Sequence, residues 1–114
     1  MRLFKLSEMK DGWFIGDFVP SVLQTPHFEV ALKQHKQGEV WDAHYQCTAT
    51  EYNLLVKGVI EVELVGGGKI VQEGEGFIIE PGEKMRPHFV TNCTVVCVKV
   101  PSVIGDKVVI EEVK

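Results

Sequence analysis

From Phe28 onward, the chain alternates short runs of β-branched and aromatic residues with glycine, proline and asparagine. No stretch of eleven or more positions carries a convincing apolar period of 3.6 residues. This pattern excludes a helical bundle and predicts an all-β domain, because short strands at regular spacing bury their surface only in a sandwich or barrel. The expected strands are Phe28 to Gln34, Val40 to Cys47, Glu51 to Val56, Val59 to Val65, Lys69 to Gln72, Phe77 to Glu80, His88 to Asn92, Cys93 to Val100 and Lys107 to Val113. Gly66, Gly67 and Gly68 supply the freedom for a tight turn, and Lys57-Gly58 marks another bend. A short helix or turn is expected near Pro20 to Gln24.

The 114 residues suit one domain, taken as residues 1–114. Its N-terminal 25 residues hold Trp13, Phe14, Ile15 and Phe18, aromatic surface expected to pack on the barrel or on a partner subunit. A net charge of −4 argues against nucleic acid as the main partner, since phosphate binding needs clustered surplus cations. No apolar run approaches the roughly 18 residues of a membrane span, and the N-terminus lacks the apolar stretch of a signal peptide, so a cytoplasmic protein is expected. Cys47, Cys93 and Cys97 are too few for a disulfide framework. Cys93 and Cys97 stand four apart in a strand, about 13 Å from one another, and read as small buried fillers in a reducing compartment.

One segment carries chemistry. His44 and Gln46 are two apart in an expected strand, so both side chains reach the same face. Glu51 opens the next strand beyond the turn Thr48-Ala49-Thr50, and Asn53 shares its face. If the two strands are hairpin neighbours, an imidazole, an amide oxygen and a carboxylate converge as a divalent metal site would require.

The segment from Gly38 to Gly58 resembles the first motif of the cupins, Gly-x5-His-x-His-x4-Glu-x6-Gly. Gly38, His44, Glu51 and Gly58 fall in register, and Gln46 replaces the second histidine. The second cupin motif, Gly-x5-Pro-x-Gly-x2-His-x3-Asn, is matched less closely. Gly74, Pro81, Gly82, His88 and Asn92 look like its landmarks, but Glu80 replaces the first proline and five residues separate Gly82 from His88. Strict spacing would put Met85 at the histidine position. Either the loop is longer and His88 still reaches the site, or the fourth ligand is missing. The resemblance implies a double-stranded β-helix, the cupin or jelly-roll barrel, with His44, Gln46, Glu51 and His88 as ligands of iron, manganese, nickel or zinc. Gln46 is a weaker ligand than imidazole, so metal binding is expected to be weak or even absent.

Among the other polar residues, Asp42, Asn53, Arg86 and Asn92 are expected around a substrate pocket. Arg86 and Lys84, in an expected loop at the barrel mouth, suit an anionic group, although solvated loop charges are the commoner role of such residues. His27 and His35 read as loop or surface residues, and Tyr45 and Tyr52 as packing residues on the faces opposite the ligands. The resemblance supports a metal-dependent small-molecule enzyme, or alternatively a metal-free binding module for a sugar, organic acid or other small polar molecule. A third role is dimerisation, and the resemblance implies a homodimer joined through an edge strand or a sheet face; edge strands need cover, and the N-terminal strand and Lys107 to Val113 are the candidates.

Overall fold

A computed structural model describes all residues, Met1–Lys114. Eleven strands form: β1 Trp13–Gly16, β2 Leu23–Gln24, β3 Glu29–His35, β4 His44–Gln46, β5 Thr50–Lys57, β6 Val59–Leu64, β7 Gly67–Gln72, β8 Gly76–Ile79, β9 Met85–Phe89, β10 Cys93–Val100 and β11 Lys107–Val109. They build two sheets, in the orders β2-β1-β3-β10-β5-β8 and β11-β4-β9-β6-β7. Chain neighbours such as β4 and β5 lie in opposite sheets, while β3 pairs with β10 and β4 with β9. This winding of an antiparallel ribbon into two facing sheets is the double-stranded β-helix.

Period-two alternation decides what faces inward. On β10 the odd residues Cys93, Val95 and Cys97 are buried, and on β9 Met85, Pro87 and Phe89 are buried while Arg86 and His88 are not. The apolar core fills one end of the space between the sheets, around Leu55, Ile60, Val62, Ile79 and Phe89. Leu55 and Ile60 are fully enclosed. The opposite half is left for polar side chains.

The expected strands largely form, with informative exceptions. Of Val40 to Cys47 only His44–Gln46 joins a ladder. The preceding residues instead run beside β9, tied to it intermittently by Gly38 N–H to the Phe89 carbonyl, 2.8 Å, and Trp41 N–H to the Pro87 carbonyl, 3.3 Å. The run expected at His88 begins at Met85. Pro87 does not break it, because the β4–β9 ladder is reduced there to the single pair His44↔Met85 and a missing N–H costs little. The segment near Pro20 to Gln24 is not helical: Leu23–Gln24 pairs in parallel with β1, and the one short helix is a 3-10 turn at Leu6–Glu8. The final run shortens to Lys107–Val109. No helix is long and apolar enough to cross a membrane. Gly58, at the β5–β6 bend, has φ +101°, and a Cβ there would lie 2.4 Å from the Asn92 carbonyl oxygen, so only glycine fits.

Candidate functional site

A cavity of about 280 Å³ opens between the two sheets. The register shows how the sequence fills it. Across the first sheet Glu51 of β5 stands opposite Lys99 of β10, and Asn53 opposite Cys97. Across the second, His44 stands opposite Met85 of β9, and Gln46 opposite Lys107 of β11. All of these side chains line the cavity.

His44, Gln46 and Glu51 are buried. The His44 Nδ1–H donates to the Asp42 carbonyl, 2.8 Å. Because a carbonyl only accepts, Nδ1 carries the proton and Nε2 is left as an acceptor. Burial pushes the His44 imidazole below its ordinary range, against the upward pull of that hydrogen bond. The Gln46 side-chain oxygen is buried without any partner in the protein, an arrangement that leaves an acceptor unsatisfied unless something enters the cavity. Glu51 accepts from Asn53 Nδ2 at 3.0 Å and lies 3.9 Å from Lys99 Nζ. Burial, and then the neighbouring Glu51 carboxylate, push the Cys97 thiol well up, so it stays protonated and inert.

β4 and β5 are not the hairpin neighbours expected: they lie in opposite sheets, so Glu51 meets His44 and Gln46 across the cavity, and the connection between the strands is pinned from outside. The buried Asp106 carboxylate accepts from the Thr48 and Ala49 N–H groups at 2.8 and 2.9 Å, and its carbonyl accepts from Cys47 N–H.

His88 does not join the set. It stands three residues beyond Met85 on the same strand, an odd offset that turns it to the other face, where its Nε2 meets Glu63 Oε2 at 3.1 Å. Met85 occupies the position facing His44. Of the four expected pocket residues, only Asn53 lines the cavity. Arg86 points outward and donates to the Glu111 carbonyl, Asn92 accepts from Gln37 N–H, and exposed Asp42 contributes its backbone. Lys84 donates to the Lys114 carbonyl rather than standing free at a mouth.

Several cavity residues were not expected. His35 is buried rather than on the surface, stacked 3.8 Å from Phe89. Its Nδ1–H donates to Glu39 Oε2, which also accepts from Trp41 Nε1 at 2.7 Å. Its alternation with Ala31 and Lys33 was visible in the sequence, but the partner that draws it inward lies beyond the strand. Lys33, Lys99 and Lys107 also line the cavity, as do Trp13 and Trp41.

The barrel is shared with many solved structures. A protein with a double-stranded β-helix domain from Klebsiella pneumoniae is 19% identical, with 97% of this chain and 93% of that chain covered and a TM-score of 0.72. KdgF from Halomonas sp. is 20% identical over 72% of this chain and 77% of its own, TM-score 0.66. A sugar phosphate isomerase from a cupin superfamily, from Silicibacter pomeroyi, is 17% identical over 67% of this chain and 52% of its own, TM-score 0.61. The chain has the cupin fold. No protein-family model matches the sequence, and no curated protein matches it.

Cupins implied a divalent metal here, and the residues do not fit one. No three His, Cys, Asp or Glu side chains are grouped to hold an ion. His44 and Glu51 are the remaining expected strong donors, joined by an amide and by the Met85 thioether. Glu51 is already engaged by Lys99 and Asn53. Three lysine ammoniums around the same space oppose a further cation.

Proposed function

We propose that the protein binds a small polar molecule directly in the barrel, without a resident metal ion. The observation that carries this reading is the polar wall of an otherwise largely apolar cavity: the His44 Nε2 acceptor, the unpartnered Gln46 oxygen and the Glu51–Asn53 pair all line one space. A mostly apolar pocket with a few convergent polar groups is the usual form of a small-molecule site. The volume suits a compact sugar or organic acid. The Silicibacter pomeroyi neighbour is a sugar phosphate isomerase, a ligand size compatible with the scaffold. The reading assigns binding and no reaction. The test is metal analysis of purified protein together with ligand titration before and after chelation. The expected result is substoichiometric metal and unchanged affinity. Stoichiometric metal that the His44→Ala variant loses while still folded would overturn the metal-free reading.

The second partner is another copy of this chain. The outer face of the first sheet presents Leu32, Tyr52, Leu54, Val56, Ile78, Val96 and Val98, and its charge is confined to Lys57 at the end of β5, opposite Thr94. Tyr52, Leu54, Val56 and Ile78 are exposed. Two copies of net charge −4 can meet there without bringing like charges together. Nucleic acid and membrane have no part in this reading. The three free thiols fit a reducing, cytoplasmic setting.

A further inference from the structure

Three lysines from three strands line the cavity: Lys33 of β3, Lys99 of β10 and Lys107 of β11. Two tryptophan rings hold them together. Lys33 and Lys107 lie over Trp41, at 5.3 and 4.9 Å from the ring centre, and Lys33 and Lys99 over Trp13, at 5.7 and 5.0 Å. Such rings favour a cation without neutralising it.

Their charge is poorly compensated. Lys33 donates to the Asp11 main-chain oxygen, 2.7 Å, and neither Lys33 nor Lys107 forms an ion pair. Lys99 has only the 3.9 Å approach to Glu51. Asp11 and Glu51 are the two carboxylates lining the cavity, with Glu29 and Asp42 acting from further off on Lys99 and Lys107. Burial, with a smaller contribution from mutual repulsion, pushes Lys33 and Lys107 below the ordinary lysine range. In a protein of net negative charge, the cavity gathers three lysines against the two carboxylates Asp11 and Glu51, a local excess of positive charge that favours an anion. Both histidines there present protons at Nδ1 to protein acceptors, so the remaining ring edges offer acceptors to hydroxyl donors.

We propose that the ligand is a small hydroxylated oxyanion, its phosphate or carboxylate held by Lys33, Lys99 and Lys107 and its hydroxyl end reaching His44 and Gln46. This rests on the reading of the cavity as a direct binding site and names the chemistry it selects. The anion completes the lysines' charge, and the hydroxyl donor completes the unpartnered Gln46 oxygen.

Trp13 and Trp41 are the protein's two tryptophans, and both line the cavity, so selectively excited tryptophan fluorescence reports on this site. The test titrates the protein with glucose 6-phosphate, citrate and glucose at low and high salt, and repeats this with Lys33→Gln and Lys107→Gln. At least one charged probe is expected to bind about tenfold or more tighter than glucose, and to weaken with added salt. Each substitution should weaken that probe about tenfold. The charged probe that binds tells phosphate from carboxylate. If glucose binds as well as both charged probes and the variants change nothing, the oxyanion proposal falls while the binding site stands. If no probe perturbs either tryptophan at millimolar concentration, both fall. Circular dichroism of the variants confirms that a lost response is not lost folding.

Discussion

His35 and His44 are imidazoles that folding removes from water. Burial pushes both below their ordinary range, more strongly than Glu39 or the Asp42 carbonyl pulls them up. Burial pushes Glu39 up, but the N–H donors of His35 and Trp41 outweigh it and hold the carboxyl below its usual range. The pair is therefore a neutral imidazole donating to a carboxylate. The sign for stability follows from proton uptake. Below about pH 6.5 the unfolded chain protonates its histidines before the folded one does, so stability is full above that value and falls on acidification. Thermal melts between about pH 7.5 and pH 5 should show a falling midpoint, and the slope should shrink in His35→Asn with His44→Asn. A midpoint flat across that window in the parent protein would show that the two rings are not buried as described.

At the scale of elements, the short β4–β5 connection decides whether the site exists. Gln46 ends one strand and Glu51 lies one residue into the next, and these strands belong to different sheets. Nothing within the connection holds it. Asp106, from the loop before β11, supplies both carboxylate oxygens to its backbone. Asp106→Ala removes these acceptors and leaves two N–H groups without partners. A loss of about 2–4 kcal/mol in stability by urea unfolding is expected, together with weaker ligand binding. Asp106→Asn retains one acceptor oxygen and should fall between the two. Equal stability for all three would mean that the connection is held by other contacts. The same scale explains His88. A strand's faces alternate at every residue, so an odd displacement along β9 exchanges the cavity for the outer surface.

For the whole molecule, the two faces of the first sheet have opposite characters. Its inner face carries Lys33, Glu51, Cys97 and Lys99, whereas its outer face is dominated by apolar side chains, with Lys57 at the end of β5. Exposed apolar patches commonly mark association surfaces, which is the ground for proposing a second copy there. Sedimentation or light scattering at micromolar concentration should give twice the chain mass. Leu54→Lys with Val96→Lys should return the monomer, with little change in far-ultraviolet circular dichroism. A parent protein that is monomeric under these conditions would exclude the second copy. The lysine cavity lies on the inner side of this sheet, so ligand binding should survive in the monomeric variant.

The alternation of short apolar runs with turn residues determined the all-β architecture, and the spacing around His44 and Glu51 pointed to the cupin barrel. Both are written locally, because strand parity and turn chemistry act over a few residues. Strand parity likewise put His44 and Gln46 on one face, whereas Glu51 reaches the same space from the opposite sheet rather than from a hairpin partner. What only the tertiary structure decided is the company they keep. The strand expected from His88 begins at Met85, and this earlier start sets the parity that turns His88 outward and Met85 inward. His35 read as a surface residue because Glu39, Trp41 and Phe89, which enclose it, come together only on folding. Lys33, Lys99 and Lys107 are scattered over 75 residues and look like ordinary solvated charges. Only the pairing of β3 with β10, and of β11 with β4, turns them toward the same cavity.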